Sequence, residues 1–156
     1  RRFQSEGVAD EKIVRQALAE TDTLHLAERF MHELSAGERQ MVYIAKALAQ
    51  DPKVLFLDEP TAHLDIGHQI DIIRLLIRLN KEQGVTIVVV LHDLNVASEF
   101  CHKIILLREG RLYVQGSPQE VLTYGHIEHV YGAMVLVHAN PLSGKPHVLP
   151  VIKENS

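Results

Sequence analysis

The sequence predicts an α/β fold organised on a parallel sheet, and three observations carry that expectation. Val54-Leu55-Phe56-Leu57 and Val85-Thr86-Ile87-Val88-Val89-Val90-Leu91 are short, almost wholly apolar runs, the pattern of parallel strands covered on both faces. The segment between them, about Ile66 to Gln83, repeats apolar residues at helical spacing, with Ile70, Ile73, Leu76, Ile77 and Leu79 placed to face inward and Gly84 placed to end it. Strand, helix and strand in that order form a βαβ unit, whose crossover is expected to be right-handed.

The remaining elements follow from the same rules. Asp10 can cap a helix carrying Ile13, Val14, Ala17 and Leu18, and Thr21-Asp22 interrupts it before a shorter helical stretch from Leu24 to Phe30. Ser35 stands ahead of a helix from Ala36 to Gln50, on which Met41, Ile44, Ala45 and Leu48 share a face, and Ser35 with Glu38 has capping-box spacing. Asp51-Pro52 stops that helix. Leu94 to Phe100 predicts a short helix, and Lys103 to Leu107 with Arg111 to Val114 predicts a hairpin turning at Glu109-Gly110. Beyond Gly116, Ser117-Pro118-Gln119-Glu120 opens a capped helix, and Met134 to His138 with Val148 to Ile152 are candidate strands.

Composition narrows the function classes. The 156 residues are 46% hydrophobic and 23% charged, near the globular average. Sixteen Lys and Arg against twenty Asp and Glu give a net charge of −4, with no stretch basic enough to attract a nucleic-acid backbone, so nucleic acid is not an expected partner. The single cysteine, Cys101, leaves no internal disulfide framework and reads as a small buried hydrophobe. No apolar run approaches the 18 or so residues that span a bilayer. The start, Arg1-Arg2-Phe3-Gln4-Ser5-Glu6, has neither an initiator Met nor an apolar signal core and reads as a cut edge.

In open α/β sheets, ligands bind beyond the carboxyl ends of the parallel strands. The residues at those ends are Asp58 and Glu59 after the first apolar run, and His92 and Asp93 after the second. An Asp at a strand tip is also ordinary turn chemistry. As a site, the Asp can hold Mg2+, usually through water, and the adjacent Glu can take a proton from an attacking water, a pairing suited to metal-assisted phosphoryl transfer. A third element is Leu34-Ser35-Ala36-Gly37-Glu38-Arg39-Gln40, where small residues at a helix start would let a phosphate approach unpaired amides; an ordinary capping box explains the same residues.

Taken together, Leu34-Ser35-Ala36-Gly37-Glu38-Arg39-Gln40, then Val54-Leu55-Phe56-Leu57-Asp58-Glu59-Pro60-Thr61, then Ala62-His63-Leu64-Asp65 and then Leu91-His92-Asp93 resemble the ATP-binding-cassette family, in the order and spacing of its signature, Walker B, D-loop and switch-histidine motifs. The family pattern reads Leu-Ser-Gly-Gly, so Ala36 departs from it while Gly37 is retained. The resemblance implies a P-loop NTPase core of RecA-like type, here in part, with part of the helical signature subdomain, and ATP with Mg2+ as cofactors. It implies that Asp58 helps hold Mg2+ through water, that Glu59 polarises the hydrolytic water and that His92 contacts the γ-phosphate. Ser35, Ala36, Gly37 and Glu38 would face ATP held by a second, head-to-tail ATPase subunit, and Asp65 would contact that partner. Residues 1–50 then correspond to part of the helical subdomain, 51–115 to the C-terminal half of the ATPase core and 116–156 to its tail.

Further likenesses, Ala62-His63-Leu64-Asp65-Ile66, Leu91-His92-Asp93-Leu94-Asn95, Gly116-Ser117-Pro118, Val130-Tyr131-Gly132 and Pro141-Leu142-Ser143-Gly144-Lys145-Pro146, resemble importers of iron-siderophore, haem or cobalamin. That branch implies integral membrane permeases as partners, a substrate-binding protein indirectly, and a peripheral place on the cytoplasmic face of the cell membrane. A non-transport cassette ATPase of DNA repair or translation, and an inert interaction fragment, are the alternatives.

A P-loop needs G-x-x-x-x-G-K-[ST]. The only Gly-Lys pair, Gly144-Lys145, has Ala139 five positions before its glycine and Pro146 in the hydroxyl position, so it fails the pattern. The expectation is therefore the C-terminal part of a cassette ATPase that neither binds nor hydrolyses ATP alone. His63 and His68 are expected to serve packing or a dimer surface.

Overall fold

Both apolar runs become strands, and the spaced segment between them becomes the crossover helix. The computed structural model describes residues 7–152. They form six helices and six strands: α1 (Val8–Glu20), α2 (Ala36–Leu48), β1 (Val54–Asp58), α3 (Ile66–Gln83), β2 (Thr86–Val90), α4 (Leu94–Phe100), β3 (Ile104–Arg108), β4 (Arg111–Gly116), α5 (Pro118–Val121), α6 (Tyr124–Tyr131), β5 (Val135–Ala139) and β6 (Pro146–Pro150). By packing, the chain divides into two compact units, the first ending at Val90 and the second beginning at Leu91.

In the first unit β1 and β2 pair in parallel, from Val54 opposite Thr86 to Asp58 opposite Val90. α3 runs between them, capped at its start by Asp65, whose carboxylate accepts from the His68 amide, and ended by Gly84 in the left-handed region at φ 69°. The core joins Ile44, Ala45 and Leu48 of α2 to Leu55 of β1 and to Ile72, Leu75, Leu76 and Leu79 of α3.

Several expectations are corrected here. The buried stripe of α3 is centred on Ile72, Leu75, Leu76 and Leu79, whereas Ile70 is exposed. Apolar residues occupy so much of α3 that two neighbouring stripes satisfy helical spacing, and only packing against β1 and α2 chooses between them. The strands are covered on one face, not both, among the described residues: Leu55 is 4% exposed while Phe56 is 74% exposed, with Val54, Val88 and Val90 beside it on the open side. α1 starts earlier than expected. Gly7 is its N-cap, and Asp10 sits three residues in, its carboxylate accepting from the Gly7 amide at 3.0 Å. The helical stretch expected from Leu24 to Phe30 holds only one 3-10 turn, Leu24–Leu26, and a second, Met31–Glu33, follows beyond it. Thr21 and Thr23 close the end of α1: both are buried, and their hydroxyls bond each other at 2.7 Å and turn back to its last carbonyls.

The second unit is built on two antiparallel hairpins, β3–β4 and β5–β6. Glu109 and Gly110 both take positive φ at the first turn, the geometry that a two-residue hairpin requires. α4 is bound to β6 by side chain to backbone bonds. Asn95 donates to the Val148 carbonyl at 3.1 Å and accepts from its amide at 2.7 Å, and the Ser98 hydroxyl donates to the Pro146 carbonyl at 2.6 Å. Val121, Leu122 and Ile127 fill the centre with Ile104, Leu106 and Val148.

Candidate functional site

The site is built first from the end of β1. Parallel pairing in register brings the carboxyl ends of β1 and β2 to one edge of the sheet, as Asp58 opposite Val90 shows. The ladder continues one residue further, with the Glu59 amide donating to the Val90 carbonyl at 3.1 Å. The Glu59 carbonyl in turn accepts from Ala62 at 3.0 Å, closing a turn in which Pro60 supplies a fixed φ. Glu59 itself sits at φ 46°, a region that a non-glycine residue ahead of a proline seldom enters. Such strain persists where the surroundings hold the residue from both sides, and it concentrates at functional positions. Asp58 is exposed and Glu59 half-buried.

His92 is the second residue of the second unit and is followed by Asp93, the N-cap of α4. The Asp93 carboxylate accepts from the amides of Asn95 at 2.8 Å and Val96 at 3.0 Å, so the turn after His92 is fixed to its helix.

The start of α2 is a complete capping box. Ser35 Oγ accepts from the Glu38 amide at 3.2 Å, and the Glu38 carboxylate accepts from the Ser35 amide at 2.7 Å. The Ser35 amide, then the Ser35 hydroxyl, hold the Glu38 carboxyl below its usual range. Arg39 donates to the Leu34 carbonyl at 2.5 Å, and Leu34 is buried, so the turn ahead of the cap is anchored as well. Ala36 and Gly37 are the first two residues of the helix, whose amides have no partner inside it. The ordinary capping box and the phosphate-accepting helix start are therefore compatible, because they use different amides.

Sequence reasoning missed the contact on Gly37. A Cβ built there would lie 2.1 Å from Cδ2 and 2.5 Å from Cγ of His68, so the imidazole occupies the space that any side chain would need. That ring is held by Asp65: His68 Nδ1 lies 2.5 Å from Asp65 Oδ2, and the His68 amide donates to Oδ1 at 3.1 Å. These two bonds, amide first, keep the Asp65 carboxyl below its usual range. Asp-x-x-His at a helix cap was the available sequence signal for the pair.

The Gly144-Lys145 pair is committed elsewhere. Gly144 takes φ 70° in the turn between β5 and β6, and Lys145 Nζ donates to the Glu99 carbonyl at 2.5 Å. Cys101 is half-buried rather than buried as expected, and that partial burial pushes its thiol up. Among the described residues no group of three or more His, Cys, Asp or Glu is assembled as a metal cage, and no helix is long and apolar enough to cross a membrane. A strand-end carboxylate nonetheless suits Mg2+ carried with a nucleotide, which is held by one or two carboxylates together with phosphate oxygens.

Comparison with known proteins finds the same family likeness. The ABC transporter family profile matches residues 2–62, a stretch that includes the helix start at Ser35 and the Asp58-Glu59 pair. That stretch is similar to the ATP-binding-cassette family. The chain is 44% identical over 142 residues to the ferric enterobactin transport ATP-binding protein FepC of Escherichia coli, a match covering 91% of this chain and 52% of that relative. Among solved structures, a metal-chelate-type ABC transporter in an inward-facing conformation superposes with a TM-score of 0.88 at 29% identity, over 97% of this chain and 62% of that one. The dimeric cassette MJ0796 with ADP and Pi gives a TM-score of 0.60 at 37% identity, over 75% of this chain and 50% of that one. The chain thus spans about half the length of the curated relatives it matches. These likenesses, with the small parallel sheet of β1 and β2, show the expected P-loop NTPase fold class, here in part.

Proposed function

We propose that this chain supplies the signature, Walker B, D-loop and switch-histidine half of the ATP-binding subunit of a metal-chelate importer, with siderophore-bound iron the favoured cargo class. The observation that supports the reading is the in-register pairing of β1 with β2, because it brings Asp58-Glu59 and the end of β2 at Val90 to the same end of the sheet. The name of the enterobactin relative supports the cargo class, and the dimeric cassette supports a second ATPase subunit as partner.

In this reading residues 1–50 belong to the helical signature subdomain, 51–115 to the ATPase core and 116–156 to its tail. Asp58 helps hold Mg2+, which supplies charge neutralisation at the phosphates. Glu59 accepts a proton from the attacking water, and the clamps on its amide and carbonyl fix the backbone from which its carboxylate projects. His92 donates to the γ-phosphate. Ser35 and the amides of Ala36 and Gly37 meet the phosphate of ATP held by the second subunit, with Glu38 completing the cap that orients them. Asp65 faces that subunit. The assembly sits against membrane permeases on the cytoplasmic face, served indirectly by a substrate-binding protein.

The 156 residues contain no G-x-x-x-x-G-K-[ST] loop. Equilibrium titration of Mg-ATP therefore separates the possibilities. The 156-residue chain is expected to show no saturable binding and no hydrolysis above buffer, whereas a chain extended upstream through a phosphate loop binds. Absence of binding by the extended chain, or hydrolysis by the 156-residue chain that Glu59→Gln abolishes, overturns the reading.

A further inference from the structure

We infer that His68 is a positioning residue for the helix start at Ser35-Ala36-Gly37, holding it in register with the loop that precedes α3; the inference rests on the proposed ATPase reading. Two segments 31 positions apart in the chain, at Gly37 and His68, meet at one contact. On one side is the Cα of Gly37, buried although its neighbour Ala36 in the first turn of α2 is exposed. On the other is the His68 imidazole, whose Cδ2, Cγ and Nε2 lie 2.1, 2.5 and 2.7 Å from the place a Cβ would take, so that only glycine admits the ring.

The half-exposed ring is oriented by Asp65. Nδ1 is paired with Asp65 Oδ2 at 2.5 Å, and the same carboxylate caps α3 through the His68 amide. An ionised carboxylate at Nδ1 places a proton there and fixes the ring plane. The loop behind it is tied down in turn, because Gln69 donates to the Leu64 carbonyl at 2.9 Å. The result is a linkage from the loop at Leu64-Asp65 through the imidazole to the backbone of Gly37. Retention of glycine at position 37, beside an alanine at 36, follows from this packing as well as from any phosphate approach.

A helix start that meets a phosphate on another subunit must be placed to within a fraction of an ångström, and a misplacement of about 1 Å from outside the reacting atoms can cost on the order of 100-fold in rate. His68 touches no reacting group in this scheme. It acts through Gly37.

The test uses the full-length ATPase subunit in its transporter, with steady-state ATP hydrolysis as readout. His68→Ala is expected to lower kcat by about 10-fold or more while the KM for ATP changes by less than about 2-fold, a split that general loss of folded protein does not produce at a fixed active-site concentration. Gly37→Ala, which drives the ring off, is expected to give the same split. The double variant should be no worse than either single one, because both remove one contact. His68→Asn, which keeps a donor for Asp65 but has no ring for Gly37, is the second variant if His68→Ala does not fold, and it should also lose kcat. Glu59→Gln, measured alongside, separates failures: turnover undiminished by Glu59→Gln sinks the ATPase reading itself. Turnover lost in Glu59→Gln but within about 2-fold of wild type in the folded His68 variant, or additive losses in the double variant, overturns the role of His68 alone.

Discussion

Truncating two adjacent residues of β1 should have opposite consequences, because consecutive strand residues point to opposite faces. Leu55 is 4% exposed and packed among Ile44, Leu48, Ile72 and Leu76, whereas Phe56 is 74% exposed. Leu55→Ala leaves a cavity between β1 and two helices and should cost about 2–5 kcal/mol. Phe56→Ala gives up little burial, and its cost should stay below about 1 kcal/mol, the span of strand propensity. With a urea slope of about 2 kcal/mol/M, Leu55→Ala should lower the unfolding midpoint by about 1 M or more and Phe56→Ala by less than about 0.5 M, at unchanged slope. Far-UV circular dichroism of the 156-residue chain is the assay, since the chain has no Trp to report by fluorescence. Equal losses at the two positions would refute the assignment of one open and one packed face. A larger loss at Phe56 would invert it.

Two further outcomes follow from the bonding. Asn95→Ala removes the paired bonds to the Val148 amide and carbonyl and should destabilise by about 1–3 kcal/mol, with faster hydrogen exchange at the Val148 amide; exchange unchanged from wild type would remove Asn95 from the role of tying α4 to β6. The carboxyls of Glu38, Asp65 and Glu120 all lie below their usual values, held there first by the amides of Ser35, His68 and Ser117. A depressed folded pKa adds stability that is complete above the unfolded values, 4.5 for Glu and 3.8 for Asp, and is lost as pH falls from there through the folded values. Denaturation midpoints measured from pH 6 to pH 3 should therefore fall toward the acid end, and Glu38→Gln should flatten that fall; an unaltered profile would count against the capping boxes.

Local signals made most elements legible in the sequence. Ser35 and Glu38 announced the start of α2, Gly84 the end of α3, and Glu109-Gly110 the turn between β3 and β4, because in each case the residue type carries the conformation itself. What depended on packing was less legible. α3 offers apolar residues on two adjacent stripes, so Ile72 and Leu75 were hidden behind Ile70 until β1 and α2 selected the buried face. The Thr21-Thr23 pair, which closes the end of α1, uses side chain bonds that apolar spacing does not report. At the candidate site, the strand-end carboxylates were readable from the apolar runs ahead of them. The strained backbone of Glu59 and the imidazole seated on Gly37 were not, since each arises from a contact between segments distant in sequence.

The claim at the centre of the account is that Glu59, held between β2 and the turn at Pro60, is the carboxylate that draws a proton from water. Steady-state ATP hydrolysis by the full-length subunit carrying Glu59→Gln measures it most directly, with ATP binding followed in parallel. The account predicts a fall in kcat of about 100-fold or more with binding retained. Turnover within about 2-fold of wild type, with binding intact, would contradict it.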